Sequence, residues 1–356
     1  MTLEITEISL KGNEKNLQSL YNEVYGDTPD RIPSIKELYW RYEENPFQSR
    51  VWVAKDGEKI IGLRPVIKRP VVIRKQQFNA LHFMNVMVHP DYQGQGVFSR
   101  LMKSVWETHS QDGVMAYTYP NKNSVKSYRK WNDWYLATEL PLWIRLVFPR
   151  DISSEKKLVR TGGAGLANSL KLLAKLNTKV NRNSFDIKSQ SYFDNRTDKL
   201  WSHNMYRYKM IHPRDSEYLN WRYARHPRWE YKIYCAEGGR GVKGYLVTRI
   251  RQMFGLKLGL LVDFFVEDDD ATILCELIRT AVSELIMQGA EALGLQYTGP
   301  AKLQQAFLSN GFVKVPKQLL PREFLLFVKP ALMSMEELPF SEQQGVYLTW
   351  GDNDAV

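Results

Sequence analysis

The sequence predicts an α/β (α+β) fold of two tandem lobes, each a mixed, mostly antiparallel sheet flanked by helices. Three observations predict it. One helix–hairpin pattern occurs once in each half of the chain. A strand, a glycine turn and an amphipathic helix follow one another between residues 81 and 106. At 356 residues, with 44% hydrophobic and 12% aromatic content, the chain has apolar surface enough for two packed cores.

The repeat is read from matched segments. Leu38-Tyr39-Trp40-Arg41-Tyr42 is followed by Pro46, and Leu219-Asn220-Trp221-Arg222-Tyr223 by Pro227. Each is preceded by a helix N-cap residue, Ser34 or Asp215. Each runs into a hairpin, V-W-V-A-K-D-G-E-K-I-I-G or K-I-Y-C-A-E-G-G-R-G-V-K-G. Asp56-Gly57 and Gly238-Gly239 mark the turns, and Gly62 and Gly244 then fall at equivalent places. Helix, cap, hairpin and glycine in the same order imply a duplicated domain.

In chain order, the first lobe spans 1–150. It opens with a strand at 3–10. Asn13 caps a helix that buries Leu17, Leu20, Tyr21 and Val24, and Ser34 with Glu37 forms a capping box for the next helix. Strands at 50–55, 59–68 and 78–88 lead into the glycine turn. Helix 97–110, strand 114–119, helix 123–131 and further strands to 148 complete the lobe. A basic helical linker occupies 151–190, the second lobe 191–330 and a tail 331–356. The tail is expected to fray, as termini do. The alternative is that Trp350 docks and brings a carboxylate to the cleft between the lobes.

The segment 88–101, V-H-P-D-Y-Q-G-Q-G-V-F-S-R-L, carries the functional signal. Glycines let backbone N–H groups converge on an anion, and a helix N-terminus adds partial positive charge. A P-loop is excluded because Val97-Phe98 stand where Lys-Ser or Lys-Thr would close the turn. The dinucleotide fingerprint lacks its third glycine. The segment resembles the acetyl-CoA pyrophosphate loop of the GNAT acyltransferase superfamily, Gln/Arg-x-x-Gly-x-Gly/Ala. Gln93, Gly96 and Phe98 take its named positions, Phe98 departing from the last small residue and narrowing the loop. Downstream, N-K-N-S-V-K-S-Y-R-K-W-N-D-W resembles the superfamily's Asn-x-x-Ala-x-x-x-Tyr-x-x-x-Gly-Phe helix. Asn121, Ser124 and Tyr128 match, Asn132 stands where a left-handed glycine cap would be, and Trp134 stands for Phe after one inserted residue.

The resemblance implies two GNAT-like lobes, with acetyl-CoA as cosubstrate and no metal. It implies contacts from Gln93, Gly94, Gln95, Gly96, Val97, Phe98, Ser99, Asn121 and Ser124. Acyl transfer from a thioester needs a polarised carbonyl, a neutral amine and a protonated leaving thiolate. Backbone N–H groups at Met87 and Val88, exposed by a bulge, would form the oxyanion site, and Tyr128 would protonate the sulfur. The strand carboxylate that serves as base in many GNAT enzymes is replaced by Asn85. His82 and His89 lie nearby, but each reads more simply as structural.

The second lobe keeps the frame without the site. Strand 258–266 feeds Glu267-Asp268-Asp269-Asp270, whose carboxylates suit a helix dipole but repel a pyrophosphate. Phe307 stands at the offset of Tyr128. One lobe would hold acyl-CoA and the other would shape the acceptor pocket, as in the tandem architecture of N-myristoyltransferases and Fem-type aminoacyl transferases.

The net charge of +10 calls for an anionic partner. Arg100, Lys103, Lys122, Lys126, Arg129 and Lys130 surround the motifs and suit coenzyme A. The basic amphipathic stretch 166–180 suits peripheral contact with an anionic membrane, or packs its leucines on the protein. Two cysteines in apolar runs, no signal pattern and no membrane-length run point to a cytoplasmic protein. The expected activity is acetyl-CoA-dependent N-acetylation, by direct transfer, of a small-molecule amine such as an amino sugar or nucleotide sugar of surface-polysaccharide synthesis. Nucleic acid is disfavoured as a partner. The rivals are a Fem-like transferase using aminoacyl-tRNA and a non-catalytic acyl-CoA-binding protein.

Overall fold

A computed structural model describes residues 3–147 and 185–353, apart from 27, 240, 254, 321–322 and 343–344. The basic stretch 166–180, with most of the expected linker, lies outside the described residues.

In the first lobe, β1 (Leu3–Ile8) leads to α1 (Glu14–Tyr25) and α2 (Ile35–Tyr42), then to β2 (Gln48–Asp56), β3 (Lys59–Ile73) and β4 (Gln76–Phe83). These four strands pair antiparallel in sequence order. Leu17, Leu20, Tyr21 and Leu38 pack on Val53 and Leu63. The capping box forms: the Glu37 amide donates to Ser34 Oγ at 3.2 Å and the Ser34 amide to Glu37 Oε2 at 2.9 Å. Asn13 does not cap α1. Its backbone is not extended, and its side-chain amide donates back to the Ser9 carbonyl at 3.0 Å.

The strand expected at 78–88 is two strands. β4 ends at Phe83, opposite Val66, and β5 (Met87–Val88) resumes with Met87 opposite Leu63. The outer chain therefore carries one extra residue, and Asn85 takes a left-handed φ of 47° within it. β6 (Met115–Thr118) pairs in parallel only with Leu81 and His82 of β4. Beyond that point β5 and β6 diverge.

α3 (Val97–His109) packs on the hairpin so closely that a Cβ on Gly62 would lie 2.8 Å from Leu101 Cδ1. α4 (Val125–Lys130), β7 (Tyr135–Glu139) and β8 (Leu142–Leu146) follow. α4 ends one residue early, because Trp131 is extended at ψ 125°. Asn132 does not adopt the expected left-handed cap. Trp134 takes the expected aromatic position, buried against Tyr128 and Phe83.

The second lobe retraces this path through β9 (Asp186–Gln190), α5 (Asn195–Asn204), β10 (Met210–Ile211) and α6 (Ser216–Leu219), which continues as a π turn over Asn220–Ala224. Then come β11 (Lys232–Gly238), β12 (Gly241–Met253), β13 (Leu256–Val266), α7 (Ala271–Met287), β14 (Ala292–Thr298), α8 (Ala301–Ser309) and β15 (Val313–Lys314). Asp215 caps α6 by accepting from the Tyr218 amide at 2.8 Å. Gly244 has the same duty as Gly62: a Cβ there would meet Val266 Cγ1 at 2.7 Å and Ile273 Cγ2 at 3.2 Å.

The lobes exchange strands. β16 (Leu325–Pro330) inserts between β6 and β7, antiparallel to both. β8 inserts between β14 and β15, antiparallel to both. Each sheet is completed by the other half of the chain, so the sheets do not divide where the sequence does. β17 (Val346–Thr349) then runs from β10 to β14 and ties the two sheets together. No helix among the described residues is long and apolar enough to cross a membrane.

Candidate active site

The gap between β5 and β6 creates the site. The His89 amide donates to the Ile61 carbonyl at 2.9 Å. Antiparallel alternation then turns the Met87 amide toward β3 and the Val88 amide toward the gap. Of the two expected oxyanion donors, Val88 has the right aspect.

The glycine turn is built as its sequence requires. His89 caps the turn after β5, its Nδ1 accepting from the Asp91 amide at 3.1 Å, while its Nε2 meets Lys59 Nζ at 2.8 Å and the Glu23 carboxylate. These contacts make His89 structural. Gly94 and Gly96 have φ of 77° and 79°, and Gly96 is the N-cap of α3. The amides of Val97, Phe98 and Ser99 begin the helix, where no intrahelical acceptor exists. With the helix dipole they form an anion cradle.

The cradle opens into a cavity of about 1660 Å³ between the lobes. Met87, Val88, Gln93, Gly94, Gly96, Val97, Phe98, Ser99, Asn121 and Ser124 all line it. Asn121 Oδ1 accepts from the amides of Asn123 at 2.9 Å and Ser124 at 3.1 Å, which sets the turn into α4. Phe98 stacks on Trp131 with ring centroids 5.1 Å apart, so the large side chain leans on α4.

Two expected site residues are not brought to the cavity. Gln95 is exposed, its amide donating to the Asp91 carbonyl at 2.8 Å. Tyr128 is fully buried beneath Phe98, Trp131 and Trp134. Its hydroxyl accepts from Arg64 Nη2 at 3.0 Å and lies 3.9 Å from Met102 Sδ. Arg64, not Tyr128, lines the cavity.

The second lobe has no such cradle. Asp270 accepts from the Thr272 amide at 2.7 Å and caps α7 with its own carboxylate. Asp268 pairs with Arg207 at 2.9 Å, and Asp269 accepts from the Tyr208 hydroxyl. β17 occupies the place beside β14, pairing Tyr297 with Thr349 and Thr298 with Leu348. The tail thus fills the opening that the first lobe leaves free, and the expected fraying does not extend to 346–353.

The docked tail brings Asp352 and Asn353 to the cavity wall. Asp352 is 2% exposed, with Arg214 Nη2 at 2.6 Å from Oδ2 and Arg69 Nη2 at 3.3 Å from Oδ1. Burial alone would raise its pKa, but Arg214 and Arg69 outweigh burial and hold it at about 2. Arg214 also meets Asp263, which accepts from Thr349 Oγ1 at 2.8 Å.

His82 lines the cavity, stacked on Tyr117 at 4.5 Å. Its Nε2 is buried with no hydrogen-bond partner among the described residues. Burial first, then Arg69, His212 and Arg64, push its pKa well below the usual value, so it is neutral. The second-lobe wall carries Arg222, Arg228, Arg249 and Arg251, none of which sequence reasoning singled out. The repeat held a signal for one: Arg222 is the counterpart of Arg41, and both line the cavity.

The family model of the acetyltransferase (GNAT) domain matches residues 10–136. The chain carries a GNAT domain. Acyl transfer is the chemistry of that domain, and the chain is accordingly an acyltransferase. No curated protein matches it by sequence. Among solved structures it is similar to a GCN5-related N-acetyltransferase from Anabaena variabilis, with a TM-score of 0.64 and 11% identity over 92% of this chain and 73% of that one. It is similar to a protein of unknown function from Enterococcus faecalis described as a probable N-acyltransferase, with a TM-score of 0.62 and 13% identity over 93% and 73%. Saccharomyces cerevisiae N-myristoyltransferase with bound myristoyl-CoA gives 0.60 and 14% over 92% and 82%. At these identities the likeness is one of fold. Among the described residues no group of three or more His, Cys, Asp or Glu is placed to hold a metal.

Proposed function

We propose that this chain transfers an acetyl group from acetyl-CoA directly to the amine of a small molecule bound between the lobes. The observation that carries the reading is the gap between β5 and β6, with the Val88 amide facing it and the Gly96 cradle at its end. The pyrophosphate would rest on the amides of Val97, Phe98 and Ser99, and the thioester carbonyl would reach the Val88 amide. The amine nitrogen forms the new C–N bond as the C–S bond breaks, and the amine proton leaves with the thiolate or to water.

Neither Asp352 nor His82 is a strong base in this setting. The cavity supplies a neutral amine in another way. Arg64 and Arg222 line it, and neighbouring positive charge lowers the pKa of a bound ammonium group. The acceptor would lose its proton on binding.

Calorimetry with acetyl-CoA tests the site: one site per chain, abolished in Gly96→Glu, supports the reading. Two equivalent sites, or none, would defeat it. Release of the CoA thiol with an amine panel tests turnover. A longer acyl donor is the second reading, favoured by the apolar wall that Leu142, Ile144 and Leu146 form with Leu258 and Leu260. Myristoyl-CoA binding much tighter than acetyl-CoA would decide for it.

A further inference from the structure

We infer that the amine acceptor carries a phosphate or diphosphate group, which docks on the second-lobe wall around Trp229. This deepens the transferase reading and rests on it for the identity of the ligand as acceptor. The wall has a built cationic centre. Two guanidiniums lie against the Trp229 ring, with Arg249 Cζ 3.8 Å from its centroid and Arg228 Cζ 4.5 Å. Arg249 is 4% exposed and lines the cavity. Among the described residues no carboxylate lies within ion-pair distance of it. Arg228, by contrast, is ion-paired with Glu37 at 3.6 Å and with Asp30 at 3.9 Å, and donates to the Ile32 carbonyl at 3.3 Å. Arg251, two residues along β12, projects from the same face as Arg249 and also lines the cavity.

A second observation reports the potential at this place. His226 lies 6.4 Å from the Trp229 ring and 4.2 Å from that of Trp40. Burial, then Arg222, Arg41, Arg249 and Arg228 in turn, push its pKa down to about 2. The charges that lower it are cations from α2, the π turn, the segment after that turn and β12, while Glu37 and Asp30 face the same cavity beside Arg228. A buried cation without a carboxylate costs stability unless a ligand anion offsets it. One carboxylate satisfies one guanidinium fork. A phosphate offers three terminal oxygens and can engage two forks at once, and a ring that two guanidiniums share restricts them for it. The cradle at Gly96 lies on the other lobe and is assigned to the CoA pyrophosphate. The amine then lies between the two anion sites, near Val88.

Inorganic pyrophosphate, titrated by calorimetry into protein saturated with CoA, reads this site alone. One site should bind, and Arg249→Gln should weaken it about tenfold or more, as loss of a charge-assisted pair does. Arg249→Lys should recover part of the affinity. Arg251→Gln alters a half-buried side chain and should weaken binding in the same direction if Arg249→Gln fails to fold. CoA affinity should stay unchanged in all three. No binding to CoA-saturated protein, or affinity unchanged in the arginine variants, would overturn the inference. So would pyrophosphate displaced by CoA or lost in Gly96→Glu, since it would then sit in the cofactor cradle. Failure of CoA to bind would instead defeat the transferase reading, and pyrophosphate titrated into the Gly96→Glu protein would still report on the arginines.

Discussion

Trp40 and Trp221 donate to each other's backbone: Trp40 Nε1 reaches the Trp221 carbonyl at 2.9 Å, and Trp221 Nε1 the Trp40 carbonyl at 2.8 Å. Their rings stack with centroids 4.7 Å apart and planes 14° apart. These are the matching tryptophans of the two W-R-Y copies. The repeat therefore meets itself across a local twofold relation, and the meeting point lines the cavity.

Replacing either indole by Phe keeps the stacking and deletes one donor. The freed carbonyl is buried, so Trp40→Phe or Trp221→Phe should each cost about 1–3 kcal/mol in denaturant unfolding. The double variant should deviate from additivity, because the two bonds share one stack. Strict additivity would mean that the pair does not act as a unit.

The strand exchange predicts that the halves do not fold apart. A chain ending at 147 keeps β6 and β7 but loses β16, which lies between them. β6 would then pair only with Leu81 and His82 of β4. Such a fragment should show no cooperative unfolding by circular dichroism and no CoA binding. A monodisperse fragment that binds CoA would show that β16 is dispensable.

Tyr128 is the position at which motif and geometry pull apart. Its offset marks it as the acid, but its hydroxyl accepts from the buried Arg64. Tyr128→Phe should cost stability, about 1–3 kcal/mol for the hydrogen bond withdrawn from a buried cation, before it costs rate. A fall in turnover of about a hundredfold or more at unchanged stability would restore the acid role.

The sequence made legible whatever local pattern encodes. The duplicated hairpins, the glycines that let α3 and α7 approach, and the cradle at Gly96 all follow from residue type and spacing. The exchange was not legible, because β8 and β16 are short apolar strands and nothing local names their partners. The oxyanion chemistry calls for a bulge that exposes the Met87 and Val88 amides, but its place at Asn85 shows only as a register difference against β3. The arginine wall was hidden because nothing local says which side of β12 Arg249 and Arg251 face. They face a cavity only because a second sheet faces them.

The tail carries the last prediction. A cleavage that removed only a catalytic carboxylate would spare stability. Asp352 instead stands between Arg214 and Arg69, and Trp350 is buried beside Phe324. Deleting 349–356 should therefore cost folding stability first. Asp352→Asn isolates the charge: it leaves two buried guanidiniums short of a carboxylate and should cost about 3–5 kcal/mol at neutral pH. The sign with pH follows from the lowered pKa. A carboxyl held at about 2 in the folded chain, against 3.8 ordinarily, stabilises fully above the higher value and loses that contribution as pH falls through the lower. The stability gap between wild type and Asp352→Asn should be constant from neutral pH to about 5 and shrink between about 4 and 2. Urea unfolding at stepped pH measures it, and a gap that does not change with pH would mean that Asp352 acts through its shape and not its charge.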